Sequence, residues 1–142
     1  MEKVKICVPT KDEKNIFKGH MGDADFFMIY EWNGNEYQFV EKRSNVPFEE
    51  EKHGSQKKMQ HILKIVGDCD VFIGGVLSPN FLNLRDKTSV QPVVSKIEEI
   101  EKTLDTLNKH AKVIEELVQS RKEGKRPRAI PRISEDGIEM LH

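Results

Sequence analysis

The chain has 142 residues, of which 33% are charged and 37% apolar, and its formal net charge is −1. That length suits one domain with a real core, and the balanced charge excludes a surface built for nonspecific nucleic-acid binding. No apolar run approaches the roughly 20 residues a bilayer requires; Met1–Val8 is too short and too alternating for a signal peptide.

The expected location is therefore the cytoplasm. Cys7 and Cys69 form no spacing motif, and in that compartment they are expected as reduced thiols.

Lys3–Val8 alternates, with Val4, Ile6 and Val8 on one side and Cys7 on the other, so it reads as a strand stopped by Pro9. A loop of about fifteen residues follows, long enough to be functional. Asp25–Glu31 reads as the second strand and Glu36–Arg43 as its return, joined at Asn33-Gly34, a type I′ hairpin signal. After a polar connection, Ser55 should cap a helix reaching Val66, with Met59, Ile62, Leu63 and Val66 on one face and Gly67 at its end.

Asp70–Ile73 is short and nearly all apolar, as a buried central strand should be. Ser78-Pro79 opens a brief helix ending near Lys87. Pro92 places Val90–Val94 at a sheet edge. Lys96 to about Lys122 is the longest predicted helix, with a stripe of Ile97, Ile100, Leu104, Leu107, Ala111, Ile114 and Val118. Residues 1–122 form the expected domain and residues 123–142 a basic, Pro-punctuated tail.

A hairpin followed by alternating helices and strands implies an α/β, three-layer fold. Right-handed crossovers favour a five-stranded mixed sheet of order 3-2-1-4-5, with strand 2 antiparallel and helices on both faces, a ribonuclease H-like topology. Loops after strands 1, 3 and 4 then emerge at one edge, where open α/β sheets bind ligands.

Those loops hold the candidate site. One carries Gly19-His20-Met21-Gly22, the second His53-Gly54, the third Gly74-Gly75. His20 and His53 are the candidate metal ligands, since imidazole suits iron, copper, zinc and nickel. Two protein ligands do not close a mononuclear site, but they suffice for a cluster that brings its own coordination shell. Met21 offers a thioether or core packing. The turn after Gly75 aims free N–H groups at an anion or simply caps a helix. P-loop and dinucleotide spacings are absent. His61 reads as solvated, and His110 as packing or interface.

Ile6-Cys7-Val8-Pro9-Thr10, Phe17–Phe27 with its Gly19-His20-Met21-Gly22 core, and Asp70-Val71-Phe72-Ile73-Gly74-Gly75 together resemble the dinitrogenase iron–molybdenum cofactor biosynthesis family, from about Lys3 to Val94. The resemblance implies a ribonuclease H-like fold and binding or carrying of iron–molybdenum cofactor or an iron–sulfur precursor, without catalysis. His20 matches that family's histidine after the first strand, and a metallocluster assembly or target protein is the implied partner.

A nuclease is the enzymatic alternative, but two-metal chemistry needs clustered carboxylates, usually one on the first strand; Lys3–Val8 has none. The other alternative is a regulatory or scaffold protein acting through the long helix and basic tail, where Arg121, Lys122, Lys125, Arg126 and Arg128 complement the helix terminus or dock an acidic partner. Val113 and Leu117 widen the helix's apolar face; either the segment Ile130 to Leu141 folding back or the same helix of a second subunit should cover it, and a homodimer is the favoured expectation.

Overall fold

The alternation of Val4, Ile6 and Val8 with Cys7 separates two hydrophobic cores, one on each face of a single sheet. The computed structural model describes residues 3–45 and 55–142, and their side chains except at 55–58. Its elements are β1 (Val4–Thr10), β2 (Phe26–Trp32), β3 (Tyr37–Ser44), α1 (Ser55–Val66), β4 (Val71–Gly74), α2 (Pro79–Lys87), β5 (Gln91–Ser95), α3 (Ile100–Lys109), α4 (Ala111–Lys122), β6 (Ile130–Ser134) and β7 (Gly137–Leu141). A 3₁₀ turn spans Met21–Asp23.

The sheet order is β3-β2-β1-β4-β5-β6-β7. β2 is antiparallel to β1 and β3, while β4, β5 and β6 continue parallel to β1. The first five strands thus lie in the expected order, but the sheet has seven strands rather than five. Residues 130–141, expected as tail, form a hairpin whose first strand pairs with β5 through Val94↔Arg132 and Ser95↔Ile133. Ile130 and Ile133 are almost fully buried, so burial of these two β-branched side chains outweighs the flanking charge.

This extension makes β5 an interior strand. Pro92 is tolerated there because Gln91 donates its N–H to Asp70 of the β4 side, at 2.8 Å. By strand alternation the missing N–H of Pro92 faces β6, before that pairing begins at Val94. Gln91 Nε2 donates to the Pro92 and Ala129 carbonyls at 2.8 and 3.2 Å, bridging the gap.

Met59, Ile62 and Val66 of α1 and Phe81 and Leu84 of α2 fill one core. Ile100, Leu104 and Leu107 of α3 and Ile114 and Val118 of α4 fill the other, so helices cover both faces. The expected continuous helix over 96–122 is in fact two. Residues 96–99 stay outside it because Ser95 Oγ accepts from Ile97 N–H at 3.1 Å and lies 2.9 Å from Thr103 Oγ1. At His110 the backbone leaves helical values (φ −124°, ψ 27°), and its N–H bonds to Leu107 O in a tightened last turn. Val113 and Leu117 are half-buried.

Arg121, expected among the surface cations, is interior at 2% exposure. It donates to Gln91 Oε1 at 2.6 Å, and to the carbonyls of Arg85, Thr88 and Pro127 at 2.9, 3.1 and 3.1 Å. One guanidinium therefore ties α4 to β5, to α2 and to the segment entering β6. Burial lowers its pKa to about 10, so it stays charged at neutral pH.

The Asn33-Gly34 hairpin is present, but Trp32 pairs with Tyr37, leaving a four-residue connection rather than a two-residue type I′ turn. Asn33 Oδ1 accepts from Asn35 and Glu36 N–H, and Gly34 supplies the positive φ of 96°.

Candidate functional site

Because β1, β3, β4 and β5 run the same way, their carboxyl ends share one sheet edge. The loop after β1 is held there by its own polar residues. Thr10 Oγ1 donates to Asn15 O at 2.6 Å, and the Asp12 carboxylate accepts from Lys14 N, Asn15 N and Asn15 Nδ2 at 2.8–2.9 Å. These backbone and amide donors hold the Asp12 carboxyl well below the usual carboxylate range. Ile16 N–H then bonds Glu98 O at 2.8 Å and Phe17 N–H bonds Pro9 O at 2.9 Å, stitching the loop to the segment after β5. Lys18 and Glu98 add an exposed ion pair at 2.8 Å.

With the loop anchored, the chain folds back over the Phe17 ring. A Cβ at Gly19 would lie 2.5 Å from that ring, so any larger residue there would have to push the ring aside. His20 follows, exposed, as the residue that caps the 3₁₀ turn; its carbonyl accepts from Asp23 N–H at 2.9 Å. Met21 is 3% exposed and packs in the core shared with α1, so its thioether is occupied with packing. Gly22 lies beside Ile62 of α1 with room to spare.

The turn after β4 meets this loop directly. A Cβ at Gly75 would sit 3.0 Å from Phe17 O and 3.1 Å from Lys18 Cα, so glycine allows the two backbones to touch. Gly74 is buried, and a Cβ there would reach 2.8 Å from the Phe81 ring. Ser78 Oγ accepts from Phe81 N–H at 3.3 Å and Pro79 opens α2, as its sequence signals. Val76 and Leu77 at the rim of the turn are 40% and 47% exposed.

β3 delivers its carboxyl end to the same place. Asn45, just past it, donates from Nδ2 to the carbonyls of Gly22 and Ala24 at 2.9 and 2.7 Å. His53 and Gly54 lie outside the described residues, so of the expected pair of metal ligands only His20 is placed. The structure thus seats Gly75 against Phe17-Lys18, the residues that lead into Gly19-His20-Met21-Gly22.

Among the described residues no group of three or more His, Cys, Asp and Glu side chains could hold a metal ion. Cys7 and Cys69 are free and buried. Burial, and then a hydrogen bond with Cys69, push the Cys7 thiol well up, opposite to what a thiolate ligand needs. The His20 imidazole is within reach of solvent, on a loop whose Phe17-Lys18 backbone lies against Gly75. Such a surface suits cargo that carries most of its own ligands better than a bare ion. Lys11, over the Phe17 ring at 5.2 Å, and Lys18 add positive charge on the same loop.

The anchoring roles of Thr10, Asp12 and Asn15 escape a motif-based reading, although an Asp in a loop, bonding the N–H two residues on as Asp12 does with Lys14, is the Asx-turn pattern. The Lys18–Glu98 pair spans eighty residues of sequence and leaves no local trace.

An α/β protein with helices on both faces of a mixed sheet and glycine-rich loops gathered at its carboxyl edge is the class so defined. The family model described as dinitrogenase iron-molybdenum cofactor matches residues 2–110, taking in every described loop of the site, and the chain belongs to that family. No curated protein matches the chain. α4, β6 and β7 lie beyond the matched segment. No helix among the described residues is long and apolar enough to cross a membrane.

Proposed function

We propose that the protein binds a metal–sulfur cluster of the iron–molybdenum-cofactor kind, or an iron–sulfur precursor, and carries it between proteins of metallocluster assembly without transforming it. The observation that carries this reading is the seating of Gly75 on the Phe17–Lys18 backbone. It sets the loop bearing the exposed His20 beside a second glycine turn in a chain of this family. Under this reading His20 supplies a metal bond, backbone N–H groups meet the anionic shell of the cargo, and His53 is the second ligand. One or two protein bonds to a cluster suit release as well as capture, as a carrier requires.

Anaerobic incubation with iron and sulfide, followed by desalting and metal and sulfide analysis, tests this. Retention of iron and sulfide with a charge-transfer absorption band is the expected outcome. Protein that desalts free of both iron and sulfide, and that also fails to take up a preformed cluster, would refute it. A scaffold role through one long helix and a free basic tail has less support, because the helix is broken at His110 and residues 130–141 are sheet strands.

A further inference from the structure

Among the described residues the sheet ends in two strands, β3 and β7, each paired on one side only. Such edges pair with further strands unless something blunts them. β3 is blunted: a register shift between Ile29 and Tyr30 marks a bulge in its pairing with β2, and Glu41, Lys42 and Arg43 follow one another along it. β7 carries none of these devices. Its register with β6 is regular from Ser134↔Gly137 to Ile130↔Leu141, it has no proline, and its single charge, Glu139, is bonded to Arg132 of β6.

The ladder fixes which backbone groups of β7 face outward. Lys96 N–H bonds Ile133 O at 2.8 Å, so the backbone of Ile133 faces β5. Ile138 stands opposite Ile133 in β7, and that pair is therefore not hydrogen-bonded. Gly137, Glu139 and Leu141 bond to β6, and the N–H and C=O groups of Ile138 and Met140 point away from the sheet. Two donors and two acceptors thus stand in a mostly apolar row. Ile138 adjoins the core under α3 and α4, with Met140 on the same face by alternation, and Leu141 adjoins the core on the other face.

We infer that β7 is a dimerisation edge, pairing antiparallel with β7 of a second copy about a two-fold axis at Glu139. Within the strand this register alone uses every outward group: Ile138 exchanges both its hydrogen bonds with the partner's Met140, and Met140 both with the partner's Ile138. Side chains match in the same register. Ile138 meets the partner's Met140 on one face. On the other, Gly137 leaves room for the partner's Leu141. The two Glu139 carboxylates, each held by its own Arg132, form a cluster without net charge. A second copy brings this complement because Glu139 is the middle residue of the five in β7. The strand lies outside the segment matched by the family model, and the inference stands independently of the cluster reading.

Sedimentation velocity of the full-length protein over a concentration series tests it. A reversible dimer is expected, with a Kd of about 1–100 μM for so small an interface. The Met140 N–H points outward, so Met140→Pro removes a donor to the partner and none to β6; it should weaken association about tenfold or more. Cross-linking reads the register in a protein whose strands keep every backbone group. Opposed residues of a non-hydrogen-bonded pair lie about 4.5 Å apart at Cα, within reach of a disulfide. Glu139→Cys with glutathione disulfide should therefore give a covalent dimer, and Glu135→Cys, in the turn far from the axis, should not. A wild type still monomeric at about 1 mM, whether or not its edge accepts a strand of another protein, would overturn the inference. So would unweakened association of Met140→Pro, or cross-linking of Glu135→Cys as readily as Glu139→Cys.

Discussion

Gly75 lies on the backbone of Lys18, so closely that a methyl group at Gly75 would come within 3.1 Å of the Lys18 Cα. The neighbour is main chain already held by the hydrogen bonds of Ile16 and Phe17, and it cannot swing aside as a side chain would. Gly75→Ala should therefore cost about 1–3 kcal/mol, the range of overpacking in a close-packed region. It should also shift the amide resonances of residues 17–22. Denaturant melts and ¹H–¹⁵N spectra check both; an unchanged loop would mean that the two turns are not mechanically joined.

Arg121 sits beyond the matched family segment, yet it is the polar centre that fastens α4 and the segment entering β6 to β5 and α2. Arg121→Leu strands Gln91 Oε1 and frees three carbonyls from their donor. A loss of about 3 kcal/mol is expected, as for removal of one partner from a buried charged network. Hydrogen exchange should show β6 and β7 losing protection first.

The first five strands were readable because each carried its own signal: alternation in β1, the Asn33-Gly34 hairpin, and the apolar run of β4. β6 and β7 were hidden by composition. Arg128, Pro131 and Arg132 look like tail, although Asp136-Gly137 is a hairpin signal that could have exposed the pair; Gly137 indeed takes φ 137°. The break at His110 has no glycine or proline to announce it. Pro92 misled because the edge rule concerns a missing N–H, and a strand can be interior while that one N–H has nothing to meet. In the site, the glycine turns were legible as motifs. The touching of Gly75 and Lys18 was not, since it depends on the β1–β4 pairing of segments 65 residues apart, Ile6 with Val71.

Asp68 takes a fork from Arg43, at 2.7 and 3.0 Å, and a bond from Lys5 at 3.0 Å. The Arg43 hydrogen bonds, with Lys5 assisting, hold its carboxyl well below the ordinary value of 3.8. A depressed folded-state pKa gives stability that is present above the unfolded value and lost as pH falls below it. The pair is half-exposed, so screening limits it to about 0.5–1 kcal/mol. Asp68→Asn should be less stable than wild type by that amount at pH 7, and the gap should narrow progressively as pH falls below 3.8 toward the depressed folded value. Urea melts at pH 7 and pH 2.5 measure it; a gap of equal size at both would assign the effect to packing.

Cys69, 3% exposed in the core with Cys7, should matter to stability and not to cargo. Cys69→Ala is expected to lower stability by about 1 kcal/mol, the scale of a small buried truncation, and to leave cluster uptake unchanged. Loss of uptake in this variant alone, measured as retained iron per chain, would move the ligand from the loop to the core.

The central claim is that the edge formed by the His20 loop and the Gly74-Gly75 turn receives a metal–sulfur cluster. The most direct measurement is retained iron and sulfide per chain after anaerobic reconstitution, on wild type and His20→Ala side by side. His20 is exposed, so its replacement should change stability by no more than about 0.5 kcal/mol, and unfolding cannot account for a loss. The account predicts stoichiometric iron and sulfide on wild type and a several-fold loss on an equally stable His20→Ala. Equal retention by both proteins, or by neither, would contradict it.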